Sequence, residues 1–230
     1  GSGGDDLFTG YRRHYAIQLE QYWSWLPYKV RLAIEELSHR LDTQKPFQRR
    51  INKLFNGAGL DSNDRLINYF RWTSDSLLKT LYSDEFHELI RGSDPSAPMK
   101  EFIAPLSSNT SQLDLMLSLE QRFFLADHNL NYTDKMSMAA SLEVRVPFLD
   151  LDLVDFASRI PIRYKQSGRE GKWVLKKAME PYLPKSVIYR PKSGFGVPLR
   201  RWMKEDLREL LGDLLSVDSL KKRGLFSQKA

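Results

Sequence analysis

Apolar residues recur at helical spacing along almost the whole chain. Tyr15, Leu19, Tyr22 and Trp23 form one stripe and Val30, Ile34, Leu37 and Leu41 the next, so two amphipathic helices are predicted on either side of Pro27. Proline suits the first turn of the second helix, where an N–H would find no intrahelical partner anyway. "PFQRRINKLFNGAG" predicts another helix, stopped at Gly57 by a left-handed cap. "SNDRLINYFRW" and "SDSLLKTLY" predict two more, each opened by Ser/Asp start signals. "LDLMLSLEQRFFLADH" is the most apolar run and is expected at the centre of a bundle. "DKMSMAASLEVRVPFLD" begins as helix and turns extended before Pro147, because a residue preceding proline avoids the α region. "GKWVLKKAMEPYLP" and "VPLRRWMKEDLRELLGDLLS" complete the predicted helices. No strand pair, fixed-period repeat or low-complexity tract interrupts them, and the fold class expected is all-α. "RGSDPSAP" at 91–98 is the one linker-like stretch.

Composition narrows the class without naming a function. The 230 residues, 41% of them hydrophobic, can bury a proper core. With no cysteine there is no disulfide scaffold, Cys-ligated metal or Cys nucleophile within these residues. No apolar run approaches the roughly 20 residues that span a bilayer, so no membrane partner is expected and a cytoplasmic location is the default. The net charge of +6 could serve an anionic substrate or nucleic acid. Basic residues are nevertheless dispersed among nearly as many acids, and the denser groups, Arg12-Arg13-His14, Arg49-Arg50, Arg200-Arg201 and Lys221-Lys222-Arg223, are short. They are expected to be solvated helix faces, with no nucleic-acid partner.

Four stretches carry candidate chemistry. "GSGGDDLFTGYRRHYA" is a glycine turn running into a helix, which lets backbone N–H groups approach an anion. Asp5 and Asp6 would repel a bare phosphate, so a divalent metal such as Mg²⁺ must lie between carboxylate and phosphate oxygens. In "DKMSMAASLEVRVPFLD", Lys135, Glu143 and Arg145 alternate with small or apolar residues, which would draw charges into a largely buried segment. They would serve either as a structural ion-pair network or as substrate-facing groups. In "SGREGKWVLKK", Lys172 falls in the first turn of a helix, where the dipole disfavours a cation; it either snorkels to water or meets an anion there. "RPKSGFGVPLRRW" holds Lys192 and Phe195 in a Gly/Pro loop that read alone is a plain connector.

Taken in order and spacing, "GSGGDDLFTGYRRH", "DKMSMAASLEVRVPFLD", "GKWVLKKAMEPYLP" and "RPKSGFGVP" resemble the C-terminal, synthetase half of the glutamine-hydrolysing asparagine synthetase family. The resemblance is strong over residues 1–15 and 113–205 and weak over 16–106, which reads as a helical insert. It implies that residues 1–230 are the helical C-terminal portion of an adenine-nucleotide α-hydrolase-like α/β synthetase domain. It also implies an AMP-forming ligase that binds ATP with Mg²⁺ on a loop of the form SGGxDS, adenylates the β-carboxylate of aspartate with release of pyrophosphate, and lets ammonia displace AMP. The ammonia is glutamine-derived, from a glutaminase domain in cis with a first-residue cysteine, and family dimers imply a homodimer. This chain contains neither SGGxDS nor cysteine, so it is expected to be a fragment beginning behind the strand that the glycine loop follows, and inactive alone.

Residue by residue, the resemblance makes Asp5 the carboxylate that helps hold Mg²⁺ on pyrophosphate, with Gly3 and Gly4 allowing backbone approach. It makes Lys172 the catalytic lysine that meets phosphate charge as it develops. Asp134 and Lys135 match an acid–base pair near the nucleotide, and Glu143 with Arg145 a motif that shapes the pocket. Ser2 departs from the pattern, since family members commonly carry Glu or Asp there, suited to taking a proton as ammonia attacks. Either Gly1-Ser2 replaces native residues, or the chain belongs to a branch that amidates another carboxylate, of a sugar or β-lactam-type substrate. A basic helical binding module is the alternative from a different class.

Overall fold

A computed structural model describes residues 2–42, 44–106, 110–191 and 197–227. In chain order the helices are α1 (Gly4–Phe8), α2 (Arg12–Glu20), α3 (Tyr28–His39), α4 (Pro46–Phe55), α5 (Ser62–Asn68), α6 (Asp75–Leu81), α7 (Asp84–Leu89), α8 (Ala97–Ile103) and α9 (Gln112–Leu119). The chain then continues through a π-helix, Glu120–Leu130, directly into α10 (Asn131–Ala139). A 3₁₀ turn at Pro147–Leu149 leads to α11 (Leu151–Arg159), α12 (Ile162–Lys165), α13 (Trp173–Met179), α14 (Lys185–Ile188), α15 (Leu199–Lys204), α16 (Arg208–Leu214) and α17 (Val217–Arg223). Between α12 and α13 lies a two-residue antiparallel ribbon, β1 (Gln166–Ser167) with β2 (Glu170–Gly171), which hydrophobic patterning does not reveal.

Local signals stop and start these helices as the sequence suggests. Gly57 has φ 85° just beyond α4. Asp61 accepts the Asp64 N–H at 2.8 Å, and the Ser74 hydroxyl accepts the Leu77 N–H at 3.3 Å. Val146 is extended before Pro147, with φ −118° and ψ 91°. "VPLRRWMKEDLRELLGDLLS" is a correction: one helix was expected, but it breaks at Glu205 into α15 and α16. The apolar stripe lapses over Lys204-Glu205-Asp206, leaving nothing to bury there.

The chain divides into two compact units. The first, residues 2–70 and 96–190, is built around α9, whose Leu113, Leu115, Met116, Leu117 and Leu119 are all buried, as the most apolar run should be. Ile17, Leu66, Ile67 and Ile103 share that core, so the weakly matching 16–106 region contributes side chains to it. A second cluster packs Leu7 and Phe8 of α1 against Ala157, with Phe148, Leu149, Leu153, Val174 and Leu175 around them. Burying two such side chains contributes about 3–6 kcal/mol. The short α1 is thereby clamped between the 3₁₀ turn, α11 and α13.

The second unit comprises residues 71–95 and the described residues from Pro191 on. An isolated antiparallel bridge joins Tyr82 and Phe226, whose rings stack at 6.1 Å, and the Ser83 N–H donates to the Leu225 carbonyl at 3.0 Å. Lys192 and Phe195 lie outside the described residues. No helix among the described residues is long and apolar enough to cross a membrane.

Candidate functional site

The clamp on α1 aims its two aspartates in different directions. Gly3, the residue preceding α1, has φ 91°, and a Cβ there would meet Leu149 Cδ2 at 2.6 Å, so only glycine lets the 3₁₀ turn close on the helix. Asp5 pairs with Lys172 Nζ at 2.9 Å, and both side chains are half-buried. The residues around the pair are shaped to leave it room. A Cβ on Gly10 would fall 1.8 Å from Asp5 Oδ1 and 3.1 Å from Lys172 Cε, so the pair excludes any side chain there, whereas one on Gly4 would meet Lys172 Nζ at 3.7 Å, an ordinary contact.

Lys172 does not sit in the first turn of its helix, as the sequence suggested. It is the residue before α13, in the left-handed conformation with φ 57° and ψ 32°. Its N–H donates to the Phe8 carbonyl at 2.8 Å and to the Thr9 hydroxyl at 3.3 Å, and that hydroxyl donates to the Lys165 carbonyl at 3.0 Å. Thr9 has φ 67° and ψ 161°, a region almost confined to glycine, where a β-branched residue stores about 1–3 kcal/mol of strain. The surroundings therefore hold it there. Two residues with strained backbones thus meet where α1 ends and α13 begins.

Asp6, the next residue along α1, faces a buried polar cluster that sequence reasoning missed. The Tyr11 hydroxyl reaches both Asp6 oxygens at 3.4 Å and accepts from Asn129 Nδ2 at 3.4 Å. Glu120, fully buried at the head of the π-helix, accepts from His14 Nε2 at 2.7 Å and from Arg13 Nε. The Arg13 guanidinium lies over the rings of Tyr11 and Phe124, each at 4.5 Å, and of Phe70 at 5.1 Å. Arg13 and His14 are a correction to the solvated face expected of Arg12-Arg13-His14: only Arg12 is exposed. A buried carboxylate must be paired, and these two side chains pair it. The available signal was Glu120 itself, a charge set against the most apolar helix of the chain.

The remaining candidates are not drawn into this site. Asp134 and Lys135 are exposed on α10, and Glu143 and Arg145 are exposed on the extended stretch beyond it, paired with each other at 2.6 Å. The expectation of a largely buried segment is therefore corrected. Its apolar residues Met136, Met138, Leu142 and Val144 are exposed as well, so nothing described covers the stretch or forces its charges inward.

The profile of the family described as "Asparagine synthase" matches residues 1–230. The chain belongs to the asparagine synthase family. A Mycobacterium bovis protein named provisionally as a glutamine-hydrolysing asparagine synthetase is 30% identical over 89% of this chain and 30% of its own length. Bacillus subtilis asparagine synthetase (glutamine-hydrolysing) 1 is 28% identical over 94% of the chain and 33% of its own length. Bacillus subtilis asparagine synthetase (glutamine-hydrolysing) 3 is 47% identical over 66 residues, 29% of the chain and 11% of its own length. The chain thus spans about a third of the length of the curated relatives it matches. No solved structure matches it.

In this asparagine synthase-family chain no group of three His, Asp or Glu side chains among the described residues could hold a metal by itself. Asp5 is a single carboxylate beside an ammonium, in space kept clear by Gly10. That donor set fits a cation whose remaining ligands come from outside these residues, phosphate oxygens among them.

Asp6 gives the family member a measurable pH signature. Burial, then the charges of Glu120 and Asp5, raise its pKa to about 6, against the lowering effects of the Tyr11 hydroxyl and Arg13. A carboxyl raised in the folded state binds more protons there than in the unfolded chain between about pH 4 and 6. Its contribution to stability is therefore greatest at low pH and is lost as pH rises through that window. Asp6→Asn is expected to stabilise the chain by on the order of 2–3 kcal/mol above pH 7, with the advantage vanishing near pH 4. Urea midpoints of both proteins at pH 4 and pH 7.5 check this; an advantage that does not change with pH would contradict it.

Proposed function

We propose that the chain is the helical C-terminal part of the synthetase domain of a glutamine-hydrolysing asparagine synthetase, a ligase that uses ATP to convert aspartate into asparagine through AMP-forming adenylation of the β-carboxylate. The observation that carries this reading is the Asp5–Lys172 pair, which joins two of the family's motifs at 2.9 Å in a glycine-lined space. Mg²⁺, held by Asp5 together with pyrophosphate oxygens, would supply charge neutralisation at the leaving group. Lys172 holds its ammonium against the same phosphates and stabilises charge that grows as pyrophosphate departs. Gly3 and Gly4 keep the backbone close to that anion. Asp134 with Lys135 and Glu143 with Arg145 face substrate in the longer protein, where the exposed apolar residues between them find cover. The glutaminase domain in cis supplies ammonia, a homodimer is the family's expected assembly, and the enzyme works in the cytoplasm.

The test uses the full-length protein with Mg-ATP, aspartate and either glutamine or ammonium. AMP, pyrophosphate and asparagine are expected in equal amounts, and ADP in place of AMP would refute the reaction class. Ser2, where a carboxylate would serve as base, favours a second reading: turnover with a carboxylated sugar or a β-lactam precursor, and none with aspartate, would establish it. Residues 1–230 alone are expected to make no amide and to bind ATP weakly, and micromolar affinity by calorimetry would overturn that part.

A further inference from the structure

The His14 ring is held from both sides. Its Nδ1 accepts the Gly10 N–H at 2.9 Å and the Tyr11 N–H at 3.3 Å, so that nitrogen carries no proton. The ring proton is therefore on Nε2, which donates to Glu120 Oε2 at 2.7 Å. Both His14 and Glu120 are fully buried. This connection ends at Gly10, where an added Cβ would overlap Asp5 and come within 3.1 Å of Lys172 Cε. Immediately before it, Thr9 is held in a backbone conformation that a free chain would leave.

The Tyr11 contact closes a capping box at the start of α2, an ordinary helix-start device, whereas the shorter Gly10 contact reaches one residue further back, into the turn. A buried carboxylate with its partners is commonly replaced by apolar side chains at no loss of stability. Glu120 also opens a π-helix, an arrangement rare in proteins and frequent at functional sites, which brings Gln121 Nε2 to the Asp6 carbonyl at 3.4 Å and Asn129 to the Tyr11 hydroxyl. Three side chains of one helix therefore hold the segment from Asp6 to His14 at Asp6, Tyr11, Arg13 and His14, and His14 alone extends that hold to Gly10 in the strained turn.

We propose that His14 is a positioning residue for that pair. By accepting the Gly10 N–H it fixes the Thr9–Gly10–Tyr11 turn, and so the separation and direction of the Asp5 carboxylate and the Lys172 ammonium as they meet pyrophosphate. The proposal rests on reading the pair as the pyrophosphate-handling site.

Two substitutions separate positioning from bulk stability. In His14→Asn the side-chain oxygen takes the place of Nδ1 and still accepts from Gly10, while the contact with Glu120 is lost. In His14→Gln the polar end takes the place of Nε2, so Glu120 keeps a partner and the Gly10 N–H loses its acceptor. In the full-length protein, His14→Gln is expected to lower kcat for aspartate-dependent pyrophosphate release by roughly 10- to 100-fold with KM for ATP little changed, the signature of misplaced transition-state contacts. His14→Asn is expected to rescue most of that loss. Hydrogen exchange followed by mass spectrometry supplies a readout independent of turnover: the peptide spanning Thr9–Tyr15 should lose protection in His14→Gln and keep it in His14→Asn. Equal kcat in the two variants, or equal protection, would overturn the proposal. If the wild-type protein releases no aspartate-dependent pyrophosphate, the functional reading fails, and exchange at this peptide alone then decides whether His14 holds the turn.

Discussion

Lys172→Met in the full-length protein is expected to abolish aspartate-dependent pyrophosphate release while lowering the melting temperature only modestly. The side chain is 30% exposed and its partner Asp5 21%, so the pair contributes more than an exposed one, worth about 0–1 kcal/mol, but less than the about 3–5 kcal/mol lost when a fully buried pair is broken. The bonds that dock α13 on α1 run through the Lys172 N–H, which methionine also has. Methionine pays the same cost for the left-handed backbone at φ 57°, since neither side chain is branched at Cβ. Only the ammonium is removed. Losing one preorganised contact to charge that develops in the transition state costs about 3–4 kcal/mol, or two to three orders of magnitude in rate. Lys172→Arg should rescue poorly, because a planar fork cannot replace a compact ammonium at a fitted phosphate contact. Near wild-type pyrophosphate release by Lys172→Met would remove this residue from the chemistry, whatever its position beside Asp5.

The pairing of Asp5 with Lys172 marks how far the sequence could be read. Each residue stood out locally, one by its glycine loop and the other by an awkward place for a cation, but only a resemblance spanning several motifs suggested that they belong together. The helices were readable for the same local reasons: apolar spacing, Asp61 and Ser74 as starts, Gly57 as a stop. Glu120, His14 and Arg13 were not, because their partners are brought together by tertiary packing of α2 against the π-helix, and no local pattern records that. The same limit explains Glu143 and Arg145. Alternation of charged and apolar residues predicts a covered segment, yet Met136, Leu142 and Val144 stand in solvent and nothing among the described residues covers them. The π-helix was out of reach too, since a spacing of 3.6 describes "LDLMLSLEQRFFLADH" equally well as a single α-helix.

A second buried ion pair predicts the largest effect on stability. Glu20, at the end of α2, accepts from Arg65 Nε at 2.6 Å and from the Tyr69 hydroxyl at 2.9 Å, and the two charged side chains are 9% and 5% exposed. Burial first, and then the charge of Glu20, push the Tyr69 hydroxyl's pKa well above its ordinary value, so the phenol remains a donor to Glu20 throughout the neutral range. Arg65 has further support, from the Leu60 carbonyl at 3.0 Å and the face of Trp23 at 5.2 Å. Neither can replace a carboxylate. Glu20→Ala leaves a buried guanidinium without its counter-charge and a buried hydroxyl without its acceptor, a loss expected to cost about 3–5 kcal/mol. For a chain of this size that corresponds to a fall in melting temperature of about 6–20 °C. The double variant Glu20→Leu/Arg65→Met removes both charges and should recover most of the loss, since the cost arises from the orphaned partner rather than from the missing attraction. If thermal unfolding shows the double variant as unstable as Glu20→Ala, the pair itself holds α2 to α5, and the cost lies in the lost ion pair and its geometry.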